Sequence, residues 1–151
     1  MREIKVDKHY LQKLNTIIDC PCGCRNKVKE ELLELDALKL AIPLKLQYNY
    51  LLGKYYFHES KIKNKIENLE AANERFNNIF VLANSHNYKA INNPKYFFKA
   101  SHTKYELHKC VDHIEDKADL KAQALKLCKK GLEKDRKNTS LLWLKNEIEN
   151  N

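Results

Sequence analysis

The stretch Ala124-Leu125-Lys126-Leu127-Cys128-Lys129-Lys130-Gly131-Leu132-Glu133-Lys134-Asp135-Arg136-Lys137-Asn138 decides how this chain reads. Ala124, Cys128 and Gly131 are small and fall at i, i+4 and i+7, on one face of a helix. A stripe of small side chains lets a second helix approach closely. The stretch closes in a charged turn. A new apolar run, Leu141-Leu142-Trp143-Leu144, follows at once. One helix ending against the start of the next is the organising pattern, and it extends backwards through the chain.

Glycine and proline number three each in 151 residues. A sheet protein needs turn residues far more often, so the chain reads as all-α with a few long helices. Apolar residues Ile4, Tyr10, Leu11, Leu14, Ile17 and Ile18 predict a first helix over about 4–18. Cys20-Pro21-Cys22-Gly23-Cys24 breaks it. Val28, Leu32, Leu33, Leu35, Leu38 and Leu40 mark a second helix, which Pro43 stops. A third helix, 44–59, is apolar over most of its surface and is expected to lie buried mid-domain. Further helices are predicted over 61–84, from Pro94 to about Ile114, over 117–135 and over 140–149. About seven helices with short connections make antiparallel helical hairpins. No linker divides the chain, so 1–151 reads as a single helical domain.

Leu52-Gly53 with Tyr56, then Ala72 and Phe76, resembles the two helices of a tetratricopeptide repeat. Ala100-Ser101 with Tyr105, then Ala124, Cys128 and Gly131-Leu132, resembles a second copy, with Arg136 where that family usually has proline. The resemblance covers about 44–149. The family repeats every 34 residues or so, whereas Gly53 to Ser101 spans 48 and Ala72 to Ala124 spans 52. Residues 1–42 lack the pattern and read as an N-terminal capping hairpin. The resemblance implies a right-handed stack of helical hairpins that binds a protein or peptide in a concave groove. Carried over residue by residue, the groove positions are Gln47, Tyr50, Lys54, Phe57 and His58, then Lys95, Phe98, His102, Tyr105 and Glu106. Lys54, His58, Lys95 and His102 are expected to stand exposed on one face and attract acidic groups, with the aromatics packing beside them. Ordinary core packing is the competing reading of each aromatic.

Cys20, Cys22 and Cys24 form a C-x-C-x-C run. Thiolates at that spacing can share a soft metal ion such as zinc, with His9 or Cys110 as a further ligand. A Pro-Gly turn carrying small cysteines accounts for the same residues. Gly-rich phosphate loops, nucleophile elbows and paired carboxylates are absent, so no enzyme and no other cofactor is expected.

The formal net charge is +8. Lysine supplies nearly all of it; arginine occurs only at Arg2, Arg25, Arg75 and Arg136. Lysines spread along every helix suit solvated faces better than specific phosphate recognition. No apolar run spans a membrane and no signal peptide opens the sequence, so an intracellular, cytoplasmic location is expected. The functional expectation is a protein- or peptide-binding module, a small regulator or inhibitor acting on a partner protein. A basic helical nucleic-acid-binding protein and a structural subunit of a larger assembly are the alternatives.

Overall fold

The computed structural model describes residues 6–20, 25–35, 39–86 and 93–151. Within them the protein is all-helical. The elements are α1 (Lys8–Asp19), α2 (Arg25–Leu35), α3 (Ile42–Ser60), α4 (Lys65–Ser85), α5 (Pro94–Cys110), α6 (Ile114–Lys134) and α7 (Thr139–Asn150).

Local chemistry places most of the boundaries. Asp7 caps α1, its Oδ1 accepting from the Tyr10 N–H at 2.9 Å. Asn93 and Asn138 cap α5 and α7 in the same way. Each satisfies a backbone donor that the first turn leaves unpaired. Pro43 and Pro94 sit in the first turns of α3 and α5, where proline loses no hydrogen bond. Several boundaries differ from the sequence expectation: α1 starts at Lys8 rather than about 4, behind its Asp7 cap, and α2 ends at Leu35, with Leu40 outside any helix. α4 starts at Lys65 rather than 61, because Asn64 takes a left-handed conformation at φ 45° and turns the chain first. Asparagine tolerates that region better than most residues. α5 ends at Cys110 because Val111 is extended. α6 starts three residues earlier than expected, with Glu115 and Asp116 in its first turn facing the positive end of the helix dipole.

α3 is buried around its whole circumference from Tyr48 to Tyr55, as its apolar composition requires. It packs most heavily on α4, and α5 packs likewise on α6. α4 meets α5, and α6 meets α7. A second set of contacts skips one helix: α1 touches α3, α3 touches α5, and α5 touches α7. Among the described residues no two even-numbered helices touch. The odd-numbered helices therefore form a row along one side, and the even-numbered ones stand apart on the other.

The core has two parts. Leu11, Ile18, Leu32, Leu51, Leu52, Phe76 and Ile79 fill the first, between α1 and α5. Phe97, Tyr105, Ala124, Cys128, Leu141, Leu144 and Ile148 fill the second, between α5 and α7. Phe80 and Leu127 pack against both and join them. At the small stripe the helices approach closely. A Cβ on Gly131 would lie 2.8 Å from both Leu141 Cδ1 and Phe97 Cβ. The Ser101 hydroxyl donates to the Ala124 carbonyl at 2.6 Å and lies 3.2 Å from Cys128 Sγ.

Candidate functional site

The row of odd-numbered helices carries a continuous band of aromatic rings and ammonium groups. α3 presents Tyr50 and Phe57, seven residues apart and so on one helix face. α5 presents Lys95, Phe98, Lys99 and His102 at spacings of three and four. α7 adds Trp143, which is 50% exposed.

The contacts run across the helices. Lys95 Nζ sits 4.8 Å above the Tyr50 ring. Lys99 Nζ sits 5.1 Å from the Phe57 centroid and 5.9 Å from that of Phe98, one ammonium between two rings. Lys61, from the turn after α3, approaches Phe57 at 5.2 Å. The His102 ring bridges three helices, at 5.1 Å from Phe57, 5.4 Å from Phe98 and 5.9 Å from Trp143. Its Nδ1 is buried without a hydrogen-bond partner among the described residues. Its Nε2 lies 3.5 Å from Glu106, which also holds Lys109 at 2.9 Å. The hydrogen bond from His102, followed by that from Lys109, holds the Glu106 carboxyl down at about 2.

The lysines of this band stand in one another's field. Burial, then Lys54 and Lys61, push Lys99 down to about 8. Burial, then Lys54 and Lys8, lower Lys95. Among the described residues none of Lys61, Lys95 and Lys99 has an ion pair with a carboxylate. Cation–π contact offsets part of the cost of holding an ammonium there, and an anion would offset more.

The expected groove residues are thus brought together in part. Tyr50, Phe57, Lys95, Phe98 and His102 lie in the band. His58 lies beside it, its Nε2 3.7 Å from Asp19 Oδ1. Gln47 is half-buried one turn before Tyr50 on α3. Tyr105 turns away, buried in the second core with its hydroxyl 3.5 Å from the Glu147 carbonyl on α7. Lys54 departs from expectation most. It is buried, not exposed, with Nζ 2.6 Å from Asp19 Oδ1 and 2.7 Å from Asn15 Oδ1. α1 supplies both partners, so Lys54 anchors the N-terminal helix and is not a free cation.

Sequence reasoning misses Lys99, Lys61 and Trp143. Lys99 is within its reach, because it lies four residues after Lys95 and three before His102. Trp143 is not, since its approach to His102 depends on how α7 closes over α5. Of the cysteine run, Cys22 and Cys24 lie outside the described residues. Cys20 is the half-buried C-cap of α1. Among the described residues no group of three potential ligands gathers around a metal position, and no helix is long and apolar enough to cross a membrane. No family model, curated protein or solved structure matches the chain.

Proposed function

We propose that the protein is an interaction module that holds an acidic segment of a partner protein along the face formed by α1, α3, α5 and α7. The reading is of a tetratricopeptide-like stack of hairpins, with binding rather than catalysis as its role. The contact pattern supports this reading: among the described residues, helices two apart touch only on the odd-numbered side, the pattern expected where one row of helices lines a concave face. The close approaches at Gly53 and Gly131 support it as well, at the small positions of the repeat pattern.

The observation that carries the functional reading is Lys99. Its ammonium is held between Phe57 and Phe98, beside Lys61 and Lys95, with no carboxylate paired to any of the three among the described residues. An acidic side chain or phosphate set there would gain charge-assisted hydrogen bonds in a partly dehydrated site. Apolar neighbours in the partner would pack on Phe98 and Trp143, aromatic anchors of the kind that dominate binding energies.

Lys61 and Lys95 are exposed, so Lys61→Glu with Lys95→Glu leaves the fold intact. In pull-downs from the native host this double variant loses the partner that the parent retains after nuclease treatment. Lys129→Glu with Lys137→Glu changes net charge equally and keeps it. Retention by both pairs, or equal loss from both, rejects the proposed face. Binding that vanishes with nuclease and collapses at moderate salt identifies a nucleic-acid partner instead.

A further inference from the structure

A second groove lies on the opposite side, between the even-numbered helices. α4 and α6 do not touch among the described residues, and the space between them, about 750 Å³, is floored by α5. α5 directs Phe97 and Lys104 into it, seven residues apart on one helix face. Phe97 packs against Phe80 of α4, the rings tilted by 55° with centroids 5.2 Å apart. Val81, one residue further along α4, is 60% exposed at the groove edge.

The opposite wall is a ladder. Lys126, Lys130 and Lys134 follow one another at four-residue intervals along α6, all facing the groove. Glu133 is the one carboxylate among its described lining residues. None of the three ladder lysines has an ion pair among the described residues. Lys104 supplies the independent sign of a ligand. It is only 5% exposed, yet no hydrogen bond or ion pair holds its ammonium among the described residues. Burial lowers its pKa, and nearby Asp119 only partly opposes that. A lysine with a buried stem, whose unpartnered ammonium lines a lysine-walled groove, is placed to receive an anion.

We propose that this groove docks an acidic amphipathic helix of a partner protein. Carboxylates of the incoming helix pair with Lys126, Lys130 and Lys134, one reaches down to Lys104, and its apolar side covers Phe80, Val81 and Leu127. Helical spacing follows from the ladder: rungs four residues apart on α6 repeat at about 6 Å, the rise between i and i+4 on any second helix. Same-side residues of an extended strand repeat at about 6.8 Å and drift about 1.6 Å from the ladder by the third rung. A phosphodiester strand satisfies the lysines but leaves Val81 and Leu127 against a polar backbone. The proposal stands independently of what occupies the inner face.

The test uses the whole chain, isotopically labelled, titrated with a side-chain-stapled helix of about 15 residues, long enough for three rungs. The probe carries Glu at i, i+4 and i+8 and Leu on the adjoining face. Amide signals of Val81, Phe97, Lys104 and Leu127 shift on binding. Lys126→Glu with Lys130→Glu, both exposed positions, weakens the probe at least about tenfold, and Lys129→Glu with Lys137→Glu does so by less than about twofold. Lys104→Met also weakens it while melting higher than the parent, because a buried charge has gone. Shifts centred on Phe57, Phe98 and Trp143, equal loss in the two reversed pairs, or no binding overturns the proposal. So does an oligouridine that displaces the probe and fails to bind only the Lys126→Glu, Lys130→Glu variant, which would make the groove a nucleic-acid site.

Discussion

Gly53 and Lys54 are neighbours on α3 and show how differently two adjacent residues constrain a fold. A Cβ on Gly53 would lie 2.6 Å from Phe76 Cε1 and 2.8 Å from Cδ1 and Cζ. Phe76 is fully buried, so its ring has nowhere to go. Glycine costs a helix interior about 1 kcal/mol relative to alanine, and the chain bears that cost to bring α4 against α3. Gly53→Leu is therefore expected to lower stability by about 1–3 kcal/mol despite its better helix propensity; urea denaturation measures this, and a variant as stable as the parent refutes the close contact. At Lys54 the reason is charge. Lys54→Glu sets a carboxylate against Asp19 Oδ1, which now receives Lys54 at 2.6 Å. It is expected to cost about 2–4 kcal/mol, whereas Lys54→Met, which keeps the buried stem, costs less than the reversal. A thermal melt of both variants decides. Equal melting of Lys54→Glu and the parent would mean that Lys54 is solvated after all.

At the scale of the element, α5 does the most, because each of its faces meets something different. Lys95, Phe98, Lys99 and His102 face the odd-numbered row. Ala100 lies in the first core, and Ser101 meets Ala124 and Cys128 of α6. Phe97 and Lys104 look into the outer groove. Such a helix reads poorly by amphipathicity, since polar residues occupy buried faces; Ser101, Thr103 and Lys104 are all buried. The α5–α6 contact is tight where residues are small. Ala124→Leu puts three extra carbons between Ser101 and α6, so the hydroxyl loses the Ala124 carbonyl and the helices part. The expected destabilisation is about 2–3 kcal/mol, from overpacking and a lost buried hydrogen bond together. Hydrogen exchange localises it: amides of α5, α6 and α7 lose protection before those of α1 and α3. Uniform loss along the chain would show that the two core parts unfold as one.

At the scale of the whole molecule, the inner face leaves a signature in pH. Lys99 binds its proton with a pKa of about 8 in the fold and at the ordinary lysine value of 10.5 in the unfolded chain. Below pH 8 both states are protonated and the fold bears the buried charge in full. Between about 8 and 10.5 the unfolded chain binds more protons, so this contribution to stability rises with pH. Tyr50 and Cys128 have raised pKa values and act in the opposite sense, because the unfolded chain releases their protons first. The comparison with Lys99→Met removes them. That variant is expected to be the more stable at pH 7, with the gap closing towards pH 10.5. A gap independent of pH means the Lys99 ammonium is fully hydrated.

Much of this molecule is legible in the order of its residues. Spacings of three and four locate α3, α4, α5, α6 and α7 to within a few residues, because local hydrogen bonding and apolar periodicity are carried by neighbours in the chain. The small positions Gly53, Ala124, Cys128 and Gly131 mark where helices come close, since only a missing side chain permits it. The buried centre at α3 follows from its apolar composition. What the tertiary structure alone decides is which polar groups meet. Lys54 reads as a free cation in the sequence because its partners Asp19 and Asn15 lie more than thirty residues earlier. Tyr105 reads as a groove residue because one helical turn cannot say which neighbour it faces. Trp143 over His102, and the empty strip between α4 and α6, depend on how successive helices tilt. A chain writes periodicity residue by residue, but pairing across helices is a property of distance in space, which the spacing of residues along the chain does not contain.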